Sequence, residues 1–249
     1  MKREELEKLH HPDAISKRLD AGFSKSYLAD AVLGAIDGTI TTFAVVAGAM
    51  GAGFSSLVVI ILGFANLFAD GFSMAVSNYQ ATRSELDRLS KARKHEAMHI
   101  DLVPDGEREE IRQIFSRKGF DGEVLEKIVE TITSDRNLWI DTMVTEELGM
   151  PLDPPQPVPA AFATFAAFFV AGLIPLIPYL LIQETGTRVF LVSAIMTAMT
   201  FLAIGLAKAR ILQLSLWRSG LETLFVGGAA ATLAFIVGLV LRQWLGVEL

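Results

Sequence analysis

The stretch 34-GAIDGTITTFAVVAGAMGAGFSSLVVIILGFANLFADGFSMAV-76 is apolar almost throughout, yet it carries two carboxylates, Asp37 and Asp70. An apolar run of about 20 residues, rising about 1.5 Å per residue, crosses about 30 Å of hydrocarbon. The quoted stretch falls within two such runs, roughly 28–50 and 56–81, joined by the uncharged 51-GAGFS-55. A charge at the centre of a bilayer costs about 2.5–3.5 kcal/mol on insertion scales, so it is kept where it faces a bundle interior or a wet pathway. Two carboxylates in adjacent spans therefore ask what they bind.

Working outward, three further apolar runs lie at roughly 161–183, 188–208 and 221–245, and Pro175 and Pro178 are expected to kink the first of them. Hydrophobic residues make up 51% of the 249. They crowd into 28–81 and 160–245, while most charges sit in 1–26 and 83–153, a segregation that soluble chains do not show. The expected fold is all-α: an integral membrane protein of five transmembrane helices, with a helical insert between spans two and three. Its parts are 1–27, spans one and two in 28–82, the insert and a proline-rich linker in 83–159, and spans three to five in 160–249. No cysteine is present, which excludes disulfides and thiolate metal sites. The net charge of -6 argues against nucleic acid as a partner. The first 26 residues are charged and lack an apolar core, so the first span is expected to act as its own insertion signal.

The 22 Lys and Arg residues set the orientation. Six precede the first span, eleven lie in 83–159, and Lys208, Arg210 and Arg218 lie between spans four and five; Arg188 and Arg242 alone fall on the other side. This bias places the N-terminus and residues 83–159 in the cytosol.

The insert reads as short helices. The run 83-RSELDRLSKARKHEAMHI-100 has no Gly or Pro and is expected to continue straight out of the second span to Pro104. Asp105, Asp121 and Ser134 are expected to cap the next three helices, Gly149 to close the last, and 151-PLDPPQPVP-159 to run extended back to the membrane. Glu96 and His99 are three residues apart, as are Glu107 and Glu110, and Met143 and Glu147 are four apart. Each pair shares a helix face. Three helices presenting such pairs can converge on one polynuclear metal site, and oxygen and imidazole ligands suit Fe²⁺, Mn²⁺ or Zn²⁺. Solvent alone also selects glutamate-rich helix surfaces, so the spacing leaves both readings open.

In the spans, Asp30, Asp37 and Thr41 share one helical stripe; Asn66, Asp70 and Met74 share another, with Ser73 and Ser77 nearby. Polar side chains in spans also serve as glue between helices. Nothing basic in these spans pairs with Asp37, however, and a Met one turn from an Asp adds a thioether that Mg²⁺ and Ca²⁺ avoid and transition metals accept. The pattern reads as a cation pathway.

The runs DGTITTFAVVAGAMGA, FADGFSMAVSNY, WIDTMVTEELGM and FFVAGLIPLIPYLL, in this order over residues 28–245, resemble the vacuolar iron transporter family. The resemblance implies a five-span homodimer that moves Fe²⁺, and also Mn²⁺, out of the cytosol in exchange for protons. It implies that Asp37 and Met74 handle metal in a path at the dimer interface. It also implies that the insert collects ions through Glu96, Glu107, Glu110, Glu147 and Met143. This chain departs from the family pattern at three positions: His99 stands for a glutamate, Val144 for a second methionine, and Asn66 for a glutamate whose role Asp70 is placed to take. No prosthetic group is expected, with Fe²⁺ as substrate and Mn²⁺, Zn²⁺ and Co²⁺ as further candidates. The membrane would be the cytoplasmic one in a bacterium, the favoured source, or the vacuolar one in a eukaryote. Two other classes compete. A membrane-anchored ferroxidase would normally need two Glu-x-x-His units where this chain has one, and a receptor or scaffold leaves Asp37 and Asp70 unexplained.

Overall fold

The computed structural model describes residues 7, 10–21, 26–182 and 186–245. The expected end of the third span at 183, and much of the segment 1–27, lie outside the described residues. Among the described residues there is no strand. Helix α1 (Pro12–Ala21) precedes α2 (Leu28–Ala52) and α3 (Ser56–Leu102); α4 (Pro104–Arg117), α5 (Gly122–Ser134) and α6 (Arg136–Thr142) follow, and α6 widens into a π-helical turn over Met143–Glu147. Then come α7 (Pro157–Leu173), a 3₁₀ turn (Ile174–Leu176), α8 (Ile177–Leu181), α9 (Thr187–Ile211) and α10 (Leu216–Leu245). Five segments are long and apolar enough to cross a bilayer: α2, the first part of α3, α7 with α8, α9, and α10. The chain is an all-α integral membrane protein.

Helix α3 runs unbroken for 47 residues, out of its apolar part and into the charged block. Four local expectations are corrected. Asp105 lies in the first turn of α4, where the cap is Val103, because Pro104 takes the opening position that needs no N–H. Asp135 rather than Ser134 caps α6, its Oδ1 accepting from the N–H groups of Asn137 at 2.8 Å and Leu138 at 3.2 Å, while Ser134 ends α5. Pro157 opens the third span before 161, which shortens the expected linker. The fifth span begins at Leu216 and carries Arg218 and Glu222 in its first turns. At Pro175 and Pro178 the third span does break, into the 3₁₀ turn and α8, and the Ser193 hydroxyl from α9 donates to the Pro175 carbonyl at 2.7 Å.

Helix α2 is the centre of the bundle, because its glycines let neighbours come to backbone distance. A Cβ on Gly34 would lie 2.2 Å from the Thr164 carbonyl oxygen, and one on Gly38 would lie 2.3 Å from that of Phe168. On the other side, a Cβ on Gly238 would lie 2.3 Å from the Gly48 carbonyl oxygen, so α10 closes on α2 as α7 does. Small residues are what membrane helices use for such approaches. Around them Phe43, Val46, Val59, Leu67, Phe168, Leu176 and Val189 form the membrane core. Asn78 of α3 donates to Asp30 Oδ1 at 2.8 Å and Thr164 Oγ1 at 2.7 Å, tying three helices together at one end. Asp30 is thus engaged in a structural latch, apart from Asp37. A second core, around Leu89, Ile100, Ile111, Val129, Trp139 and Val144, holds the charged helices together.

Replacing Gly38 by Ala pushes a methyl into backbone, which has no rotamer to move, so a loss of about 1–3 kcal/mol is expected. At Gly48 a Cβ meets only ordinary contact, 3.6 Å from the Ala234 carbonyl oxygen. Thermal melts in detergent should show Gly38→Ala clearly lowered and Gly48→Ala near the parent; equal melts would mean that α2 and α7 do not touch here.

Candidate metal site

The charged helices bring five of the six side chains expected in the insert into one electrostatic cluster. Glu96 and His99 come from the end of α3, Glu107 and Glu110 from the start of α4, and Glu147 from the π-helical turn. Glu96 lies on the same face as Leu89 and Ile100, and Glu107 precedes Ile111 by one turn, so both glutamates occupy core-facing positions. Each is only 3% exposed. Oε2 of each is buried without a hydrogen-bond partner among the described residues. His99 Nδ1 lies 3.3 Å from Glu107 Oε1. Glu110 and Glu147 are more open. Met143 is fully buried in the second apolar core, and so is Val144. The wide turn, in which the Leu148 N–H reaches the Met143 carbonyl at 3.3 Å, replaces the α-helical spacing expected there. It leaves Met143 in the core while Glu147 joins the carboxylates.

Neighbouring carboxylates are treated differently. Arg136 holds Asp101 at 2.5 and 2.8 Å, and Arg112 holds Glu126 at 2.8 and 2.9 Å and Glu109 at 2.5 Å. Arg93 pairs with Asp141, and Lys118 with Glu146. Among the described residues no Lys or Arg pairs with Glu96, Glu107, Glu110 or Glu147. Burial, then the charges of Glu110 and Glu96, push the Glu107 carboxyl up to about 7, with Glu147 adding to the rise and His99 opposing it. Partial desolvation, then Glu110 and Glu96, raise Glu147, again with His99 opposing. Buried carboxylates without a cation are unfavourable unless protonated or bound to a metal.

In the spans, Asp37 on α2 is half-buried, and its charge and that of Asp70 on α3 repel. The Asn66 amide donates to Asp70, while Asn66 Oδ1 is buried with no partner among the described residues. Met74, half-buried, packs against the membrane core. Asp70 lies on an exposed face of α3. Among the described residues neither Asp37 nor Asp70 forms an ion pair. His95 stands beside the carboxylate cluster, outside the glutamate pairs. It lies one turn before His99, their ring centroids are 4.0 Å apart, and one ligand atom from each of His95, Glu96 and His99 falls within 4.8 Å of the others. The signal was in the sequence, as 95-HEAMH-99 matches a helical metal-binding pattern.

The Glu107 position gives a pH dependence of determinate sign. Its carboxyl titrates higher in the folded protein than at its ordinary value of 4.5. Its contribution to stability is therefore present below about 4.5 and lost as pH rises through about 7. Metal-free protein should melt higher at pH 6 than at pH 8, and Glu107→Gln should raise the pH 8 melt and flatten the difference. A Glu107→Gln profile that overlays the parent's would remove the repulsion from the account.

The sequence profile of the VIT family matches residues 28–239. Vacuolar iron transporter 1 of Eucalyptus grandis is 33% identical over 207 residues, which cover 83% of this chain and 83% of the relative. Vacuolar iron transporter 1 of Arabidopsis thaliana is 31% identical over 235 residues, 94% of this chain and 91% of the relative. The vacuolar iron transporter of Plasmodium falciparum is 31% identical over 228 residues, 88% and 84% of the two chains. The matched region takes in four apolar segments, most of the fifth and the helices that hold the carboxylate cluster, and on this ground the chain belongs to the VIT family.

Proposed function

We propose that this protein transports divalent transition metal, Fe²⁺ foremost and Mn²⁺ as well, out of the cytosol in exchange for protons. The observation that carries the reading is a cluster of four glutamates without an Arg or Lys partner among the described residues, two of them buried, beside carboxylates such as Asp101, Glu109, Glu126, Asp141 and Glu146 that do have one. A divalent ion is the missing counter-charge. The relatives' name, vacuolar iron transporter, agrees in kind. The Lys and Arg distribution supports a cytosolic location for the charged helices, where they meet the ion first. The membrane is then the cytoplasmic one in a bacterial host and the vacuolar one in a eukaryotic host.

Two stations divide the work. Glu96, His99, Glu107, Glu110 and Glu147 collect ions, with Met143 available as a soft ligand if the wide turn reorganises. Met74 and Glu96 are separated by roughly 30 Å of the same rod, so the collecting cluster does not itself line the pathway. In the membrane Asp37, Asp70, Asn66 Oδ1 and the Met74 thioether supply oxygen and sulfur to a dehydrated ion, and the two aspartates are the groups able to carry protons back. Beside Asp70 the exposed side of α3 carries Leu62, Ala69, Ser73 and Ser77, with no basic residue among them. A charge facing lipid is costly; a second copy of the chain covering this face would enclose the aspartates in a homodimer.

Proteoliposomes loaded with a metal-quenched dye, under an imposed proton gradient, test this. Asp37→Asn should lower uptake by at least about tenfold, about 1.4 kcal/mol in the barrier, while the protein still assembles. Parental rates in that variant would sink the pathway role. Met74→Leu, a swap that packing absorbs at under about 1.5 kcal/mol, should lower the maximal rate at saturating metal. Glu107→Gln with Glu110→Gln should slow uptake only at low metal and recover at high. Should both variants change apparent affinity alone, Met74 is a packing residue.

A further inference from the structure

We propose that His95 joins Glu96 and His99 in a nitrogen-rich subsite that takes Zn²⁺ and Co²⁺ in preference to Mn²⁺. The inference deepens the collecting role proposed above and rests on it. His95 and His99 are one helical turn apart on α3, and their rings lie 4.0 Å apart, centroid to centroid. A ligand atom of each, with a Glu96 carboxylate oxygen, lies within 4.8 Å of the other two. Ligands about 2.1 Å from a tetrahedral ion are about 3.4 Å from each other, so a small rotation of exposed His95 closes the set.

Two further observations point at an ion. Glu96 is 3% exposed, and its Oε2 has no hydrogen-bond partner among the described residues, so a carboxyl oxygen is held in the subsite with its acceptor capacity unused. His99 Nδ1 lies 3.3 Å from Glu107 Oε1. A carboxylate on one ring nitrogen fixes the tautomer and leaves the other, Nε2, as the metal ligand. Glu107 thus orients His99, while Glu110 and Glu147 remain free for a second, oxygen-rich position. Imidazole favours Zn²⁺ and Co²⁺, whereas carboxylate and water suit Mn²⁺. Two imidazoles in place of oxygen ligands therefore bias which ion is held. The pattern H-E-x-x-H also occurs in zinc peptidases, where the glutamate activates water; here Glu96 is buried and serves as a ligand.

The test uses the full-length, metal-free protein in detergent. Co²⁺ is titrated while the visible band of low-coordinate Co²⁺ is followed, and Zn²⁺ and Mn²⁺ are then added as competitors. The parent should develop the band, Zn²⁺ should abolish it, and Mn²⁺ at the same concentration should leave most of it. His95→Ala, at an exposed position that the fold tolerates, should lose the band and weaken Zn²⁺ at least tenfold while Mn²⁺ affinity changes less than twofold. His10 and His11 are the chain's other two histidines and remain in both proteins, so the difference reads His95 alone. A His95→Ala protein with the parent's band and Zn²⁺ affinity overturns the subsite while metal collection stands. A parent that binds none of the three ions overturns both.

Discussion

Repulsion among Glu96, Glu107, Glu110 and Glu147 is the constraint from which the charged helices take their character. The second apolar core forces Glu96 and Glu107 inward, because each stands on a stripe whose next member is a buried isoleucine. Water is thereby removed from charges that no Arg or Lys offsets. Protonation, which the raised Glu107 position makes accessible near neutral pH, is one way to relieve the strain; a divalent ion is the other. Under the proposed collecting role, protons and metal would compete for the same oxygens, which would make the grip on the ion depend on pH.

The membrane part rests on a different constraint, the close approach of backbones. Gly34 and Gly38 let α7 lie against α2, and Gly48 accepts α10 at Gly238. With α2 fixed from both sides, Asp37 has a defined place, and α3 brings Asp70 near enough for the two charges to repel. Because α3 runs unbroken into the charged helices, one rod carries Glu96 and His99 at one end and the membrane polar groups at the other.

Much of this was legible in the sequence, and the rest was not for identifiable reasons. Hydropathy gives the five spans because bilayer insertion is a property of whole segments. Their starts are less legible: Pro157 resembles linker until the chain is seen to use it as a first helical residue, and Arg218 and Glu222 mask the start of α10. Helical spacing identified the glutamate pairs, but not that Glu96 and Glu107 are buried, since burial depends on the helices packed over them. The clue was their register with Ile100 and Ile111. The π-helical turn at Met143–Glu147 carries no comparable local signal, so ordinary helical spacing pairs Met143 with Glu147, whereas the wide turn leaves Met143 in the core. His95 is legible as the first residue of 95-HEAMH-99, but glutamate spacing alone does not point to it.

The central claim is that the unpaired carboxylates hold transition metal. An anomalous difference map from crystals of the full-length protein soaked in Mn²⁺ or, anaerobically, in Fe²⁺, measures this directly. The account predicts metal peaks bounded by Glu96, His99, Glu107, Glu110 and Glu147, with the carboxylate oxygens of α3, α4 and the wide turn drawn to within about 2.0–2.2 Å of the ions. Ions found only at carboxylates already paired with Arg or Lys, with this cluster empty and its glutamates protonated, would contradict it.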